Sequence, residues 1–153
     1  MGDESVKTLV ASFALAAAAL ATAALTVTPP AQADNLLYVN YHIDDPRDPG
    51  HFWIWSISPC TPAAPGCVSV YATPQPNGQA SVYRGEAHVV NGRYTLSVDR
   101  PDGVRCVVQF FPSHDVFSWD ATTLAGQVDS TFDTGCGGGP GGTTSYPIQL
   151  VRF

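Results

Sequence analysis

Lysine is almost absent from this chain: Lys7 is the only one in 153 residues. From Asp34 onward six arginines face eleven acidic residues, a net charge of −5, and Glu86 is the only glutamate. An acidic stretch without lysine has little to offer phosphate, so nucleic acid and anionic lipid are poor partners. There is no G-x-S-x-G elbow to mark an α/β-hydrolase. The glycine-rich run Gly135–Gly142 lacks the Lys-Ser/Thr and the following helix that a phosphate cradle needs, so it reads as a flexible connection. No compact C-x2-C pair supports a zinc knuckle. No Asn-x-Ser/Thr acceptor follows Asp34, and no amphipathic helix pattern does either.

What is present centres on His51 to Tyr71, HFWIWSISPCTPAAPGCVSVY. Phe52 to Ile57 and Val68 to Thr73 are rich in aromatic and β-branched residues, which favour a pleated, half-buried surface. Alternation puts Trp53, Trp55 and Ile57 on one face and Phe52 and Ile54 on the other. Both sets are apolar, which implies burial on both sides or one face that binds something. Three prolines and a glycine in Ser58–Cys67 forbid helix and end both strands. Cys60 and Cys67 sit at the mouths of that loop, and a bridge there closes about eight residues, stabilising by roughly 2.5 kcal/mol on chain-entropy grounds. Cys106 with Cys136 is the second expected bridge, although four cysteines allow three pairings.

Leu9 to Val27 is an uncharged run rich in alanine and leucine, followed by Ala31-Gln32-Ala33. A small-x-small triplet after an apolar run is the signal-peptidase pattern, so residues 1–33 read as a signal peptide and 34–153 as a single disulfide-stapled β-domain. The expected location is secreted or at the cell envelope, with a retained anchor over Leu9 to Val27 as the alternative. Asp3 and Glu4 are unusual where positive charge is expected, and a start at Val6 would remove them.

The remaining segments predict short strands at Leu36–Tyr41, Ala80–Arg84, Glu86–Val90, Arg93–Val98, Val104–Phe111, a short run ending at Trp119, Leu124–Phe132 and Thr144–Phe153. Asn91-Gly92 between alternating runs is a strong hairpin signal. Arg100-Pro-Asp-Gly103 reads as a second turn, and Gly85 as a bend or bulge. Pro147 places the last strand at an edge or on a bulge. The fold class is therefore all-β: an antiparallel meander of eight or nine short strands, barrel-like because the last strand can meet the first, with a β-sandwich as the alternative.

Taken together, Trp55-Ser-Ile-Ser-Pro-Cys60 with Gly66-Cys67, the Trp119-Asp120…Leu124-Ala-Gly126 segment, the late Cys-Gly-Gly and the A-x-A signal resemble a group of small exported proteins of mycobacteria and related actinobacteria. The resemblance implies source and compartment. It implies no activity and no functional residues.

Candidate chemistry is sparse. His42, Asp44 and His51 have the donor types for zinc, and the aspartates of Asp44–Gly50 have those for calcium, but Asp in a Pro/Gly loop is ordinary turn chemistry. His114 and Asp115 are adjacent in a turn that opens at Pro112, but sequence neighbours point different ways, and a catalytic histidine needs an orienting carboxylate and a nucleophile within reach. Glu86 is better read as a cross-strand ion-pair partner than as a glycosidase acid. No metal and no cofactor are expected. The leading functional expectation is an exported non-enzymatic β-domain that binds a small apolar ligand or an envelope partner through an aromatic surface at Trp53, Trp55 and Tyr71. The rival is a secreted hydrolase with an unrecognised site using His114, Asp115 or His51.

Overall fold

A computed structural model describes residues 38–44, 46 and 49–153. The expected signal peptide, Leu36, Leu37 and part of the aspartate loop, with Asp45 and Asp48, lie outside the described residues. Nine strands follow in order: β1 (Val39–Asp44), β2 (Phe52–Pro59), β3 (Cys67–Gln75), β4 (Tyr83–Val90), β5 (Arg93–Arg105), β6 (Phe110–Asp120), β7 (Ala125–Thr134), β8 (Pro140–Gln149) and β9 (Val151–Arg152). All are antiparallel in one sheet of order β8-β7-β6-β5-β4-β3-β2-β1-β9.

Because β9 continues from β8 after one residue, the two ends of this order belong to one stretch of chain. The sheet therefore curls into a half-closed barrel, fastened where Arg152 pairs with Tyr41 and Val151 with His42. Pro147 sits on β8 opposite Gln127 of β7. Its missing N–H falls where no further strand is laid alongside, which is the edge position a proline tolerates.

The interior is read directly from alternation. Trp53, Trp55 and Ile57 point inward with Val68, Val70, Ala87, Tyr94, Leu96, Phe117, Trp119 and Val128. Ring pairs tie the core together: Trp55 meets Phe117 at 5.1 Å and Trp119 at 5.3 Å between centroids, and Tyr94 stacks on Trp119 at 5.3 Å. Asn91 (φ 50) and Gly92 (φ 76) both take the left-handed region, as the hairpin between β4 and β5 demands. Gly126 faces Trp119 across the β6–β7 ladder. A Cβ there would collide with the Ser118 carbonyl and lie 2.8 Å from Trp119 Cβ, so a side chain at 126 would push β7 away from the β6 backbone.

Several details differ from the sequence reading; Pro112–Asp115 is not a turn but part of β6, and Pro140–Gly142 of the glycine run already belongs to β8. Gly85 does not break its strand; it faces inward in β4, where a Cβ would meet Leu96 Cδ1 at 2.7 Å. Arg100–Gly103 is not a turn but a bulge within the 13-residue β5, marked by a register shift between Arg100 and Val104. Val104–Phe111 is not one strand: the chain reverses at Cys106–Gln109, where the Cys106 N–H donates to the Gln109 carbonyl at 2.8 Å. β-branched and aromatic residues favour exposed hairpin arms as readily as a continuous strand, and here the Cys106–Cys136 bridge holds the reversal in place.

Candidate functional site

Both expected disulfides are present: Cys60–Cys67 with Cα atoms 5.7 Å apart, and Cys106–Cys136 with Cα atoms 5.5 Å apart. They are compatible with an extracellular location. Among the described residues no helix is long and apolar enough to cross a membrane. Cys60, Cys67 and Glu86 lie close enough to share a metal ion, but both sulfurs are committed to their bond. His42 Nε2 instead lies 3.1 Å from Asp44 Oδ1, with its ring edge-on to Phe52, and His51 does not join them in a ligand cluster among the described residues.

The three aromatic residues expected to form a binding surface are not brought together. Trp53 and Trp55 are buried inside the barrel, and Tyr71 is on the outside, 45% exposed. The space beside Trp53 holds about 10 Å³, room for no more than one water. The inner tryptophans are spoken for: Trp55 Nε1 donates to the Tyr83 hydroxyl at 2.8 Å, and the Arg100 guanidinium lies 4.7 Å from the Trp53 ring and 5.2 Å from that of Tyr83. Arg100 is a charge inside the barrel. Its Nη1 donates to Asp115 Oδ2 at 3.2 Å, and the two side chains are 1% and 0% exposed. Asp115 Oδ1 also accepts from Ser113 Oγ at 2.7 Å and from Ser130 Oγ at 2.5 Å. Asp115 is thus an interior anchor and not the partner of His114.

His114, one residue earlier, faces outward and finds its carboxylate across the ladder. Asp99 on β5 pairs in register with His114 on β6, and His114 Nδ1 lies 2.7 Å from Asp99 Oδ1. On the other side of the ring, Nε2 lies 2.9 Å from Ser97 Oγ. Ser97 and Asp99 are two apart on one strand and so share a face. The sequence reading missed both, because only the cross-strand register reveals them. Asp99 and His114, but not Ser97, line an open cleft of about 510 Å³ together with Pro101, Pro112, Phe132 and Asp133 among others. It lies where β5 bulges, so the irregularity that Pro101 and Gly103 impose also shapes the cleft.

A third feature is the hairpin tip between β5 and β6. Val107 is 100% exposed, Val108 85% and Phe110 57%. The adjoining bridge ties this tip to the short 3-10 turn Cys136–Gly138. No charged residue occurs in 106–113 or in 134–149, so the apex is apolar and uncharged together.

Elsewhere the electrostatics are those of turns and ladders. The backbone N–H groups of Thr123 and Thr122 hold the Asp120 carboxyl below the ordinary aspartate range. Hydrogen bonds from Ser145 and Gln127 do the same for Asp129. Burial pushes the Tyr41 phenol up, with Arg152 pulling it partly back.

No family model matches the chain, and neither a curated protein nor a solved structure is found similar to it.

Proposed function

We propose that this chain is an exported β-barrel domain that docks on an uncharged, apolar layer of the cell envelope through the Val107–Phe110 tip. The observation that supports this reading is an exposed apolar apex, free of charge and tied by a disulfide to the turn at Cys136–Gly138. Isolated exposed apolar side chains are ordinary, but three at one protruding hairpin form a contact surface. A narrow convex tip suits insertion between lipid chains better than it suits a flat protein face. The acidic balance of the chain offers no attraction to anionic headgroups, so a neutral surface is the fitting one. With the interior around Trp53 and Trp55 filled, this reading puts the contact at the apex instead. The resemblance to exported actinobacterial proteins agrees with an envelope location.

Transfer of Val107, Val108 and Phe110 into a lipid layer at about 1.5 kcal/mol each gives roughly 4.5 kcal/mol, a weak, reversible association near 0.5 mM. Sedimentation with neutral phosphatidylcholine vesicles tests it. Binding should occur at millimolar lipid and disappear in Val107→Asp/Val108→Asp. Equal partitioning of wild type and this variant would exclude the tip as the contact.

A further inference from the structure

The row Ser97–His114–Asp99 is more than polar decoration on the wet face of a sheet. A carboxylate only accepts hydrogen bonds, so the 2.7 Å contact to Asp99 places the imidazole proton on Nδ1. In the neutral ring this leaves Nε2 bare, and the 2.9 Å contact to Ser97 then has the serine hydroxyl as donor. Carboxylate, imidazole and hydroxyl therefore stand in the order of an activated nucleophile: an acceptor orients the base, and the base is hydrogen-bonded to the hydroxyl it would deprotonate. Random polar neighbours on adjacent strands supply pairs of contacts. Here one exposed ring is held through both nitrogens, and two of the three residues, Asp99 and His114, line the 510 Å³ cleft.

We propose that Ser97 is a nucleophile toward acyl esters, with His114 as its general base and Asp99 as the positioning residue. Ser97 Oγ attacks the ester carbonyl, and its proton passes to His114 Nε2. The acyl–oxygen bond breaks, and the departing alcohol takes that proton from His114. Water, deprotonated by the same nitrogen, then attacks the acyl-serine; the acyl–Oγ bond breaks, Ser97 Oγ takes the proton back from His114, and the acid leaves. Pro101, Pro112 and Phe132 give the cleft apolar contacts, whereas Asp99 and Asp133 repel anions. The favoured substrates are thus short acyl esters with uncharged or cationic alcohols. Ser97 lies on a strand and not at the strand-to-helix turn that presents oxyanion donors in fast hydrolases. The expected behaviour is a reactive serine with slow turnover. This assignment is independent of the docking tip.

The test uses the oxidised chain, a fluorophosphonate probe and p-nitrophenyl acetate. Peptide mapping should find one label per chain, on Ser97, and none in Ser97→Ala. His114→Gln should label about 100-fold more slowly with an unchanged melt. Asp99→Asn should lower kcat for p-nitrophenyl acetate at an unchanged KM, and Asp99→Glu should restore part of it. Absence of label, label spread over other serines, or His114→Gln labelling at the wild-type rate would overturn the assignment. None of these outcomes depends on vesicle binding.

Discussion

Replacing Asp115 with leucine removes the counter-charge of Arg100 where neither side chain meets solvent. The guanidinium then stays inside the barrel with its ring contacts to Trp53 and Tyr83 but no anion. Ser113 and Ser130 lose their shared acceptor at the same time. Breaking a buried pair from one side costs about 3–5 kcal/mol, a large share of the roughly 5–15 kcal/mol of a whole domain. At about 4 °C per kcal/mol the melt should fall by roughly 15 °C. Arg100→Met should cost less, about 2 kcal/mol, because Asp115 keeps two hydroxyl donors while the cation–ring contacts are lost. The pair is imperfectly satisfied, since Nε and Nη2 of Arg100 have no hydrogen-bond partner among the described residues. The double replacement Arg100→Met/Asp115→Leu should therefore recover most of the loss, as apolar groups of similar volume often do in place of a buried pair. Urea unfolding followed by tryptophan fluorescence gives all four corners of the cycle. A loss below about 1 kcal/mol for Asp115→Leu, or a double variant worse than the sum of the singles, would refute the reasoning.

Removing Cys106–Cys136 should cost more than removing Cys60–Cys67, roughly 3.5 against 2.5 kcal/mol, because the sequence separations are 30 and 7; thermal melts of Cys106→Ser/Cys136→Ser and Cys60→Ser/Cys67→Ser decide it, and the opposite order would count against the chain-entropy account. Gly126→Ala should destabilise by about 1–3 kcal/mol, since its methyl meets Trp119 and the Ser118 carbonyl, and a shifted near-ultraviolet tryptophan signal should accompany the loss. Asp120 has its folded pKa depressed, so its contribution is complete above the ordinary aspartate value and disappears as pH falls through the lower folded value. Asp120→Asn should accordingly be less stable than wild type near neutrality, and the gap should close in acid melts; a gap that widens below about pH 4 would contradict this.

Period-two patterning was enough to read most strands, because a curled sheet with a filled interior makes every inward position apolar. Trp53, Trp55 and Ile57 share a face as their alternation demands. That same alternation cannot say whether the shared face is core or contact surface, so it offers a binding role for residues that fill the barrel. Turn chemistry failed at Arg100–Gly103 for a physical reason. Pro101 and Gly103 suit a bulge as well as a turn, and the choice fell to the neighbouring strand, where Gly103 leaves room for Ser113. The Ser97–His114–Asp99 row was illegible because it depends on Asp99 standing opposite His114, a register fixed by the whole β5–β6 ladder. Arg100 and Asp115 were hidden similarly: each occupies an inward slot whose neighbours on the same strand are apolar or small, and nothing local to either announces the other.

The fastening between β9 and β1 is very short: two residue pairs, with the Phe153 N–H donating to the Asn40 carbonyl just beyond them. Such a latch carries little energy of its own, yet it shields part of the outer border of β1 from other chains. Deleting residues 151–153 would lay that border bare, adding a second hungry margin to the edge that β8 already presents. Self-association of that shortened form should rise with concentration even while its tryptophans remain packed.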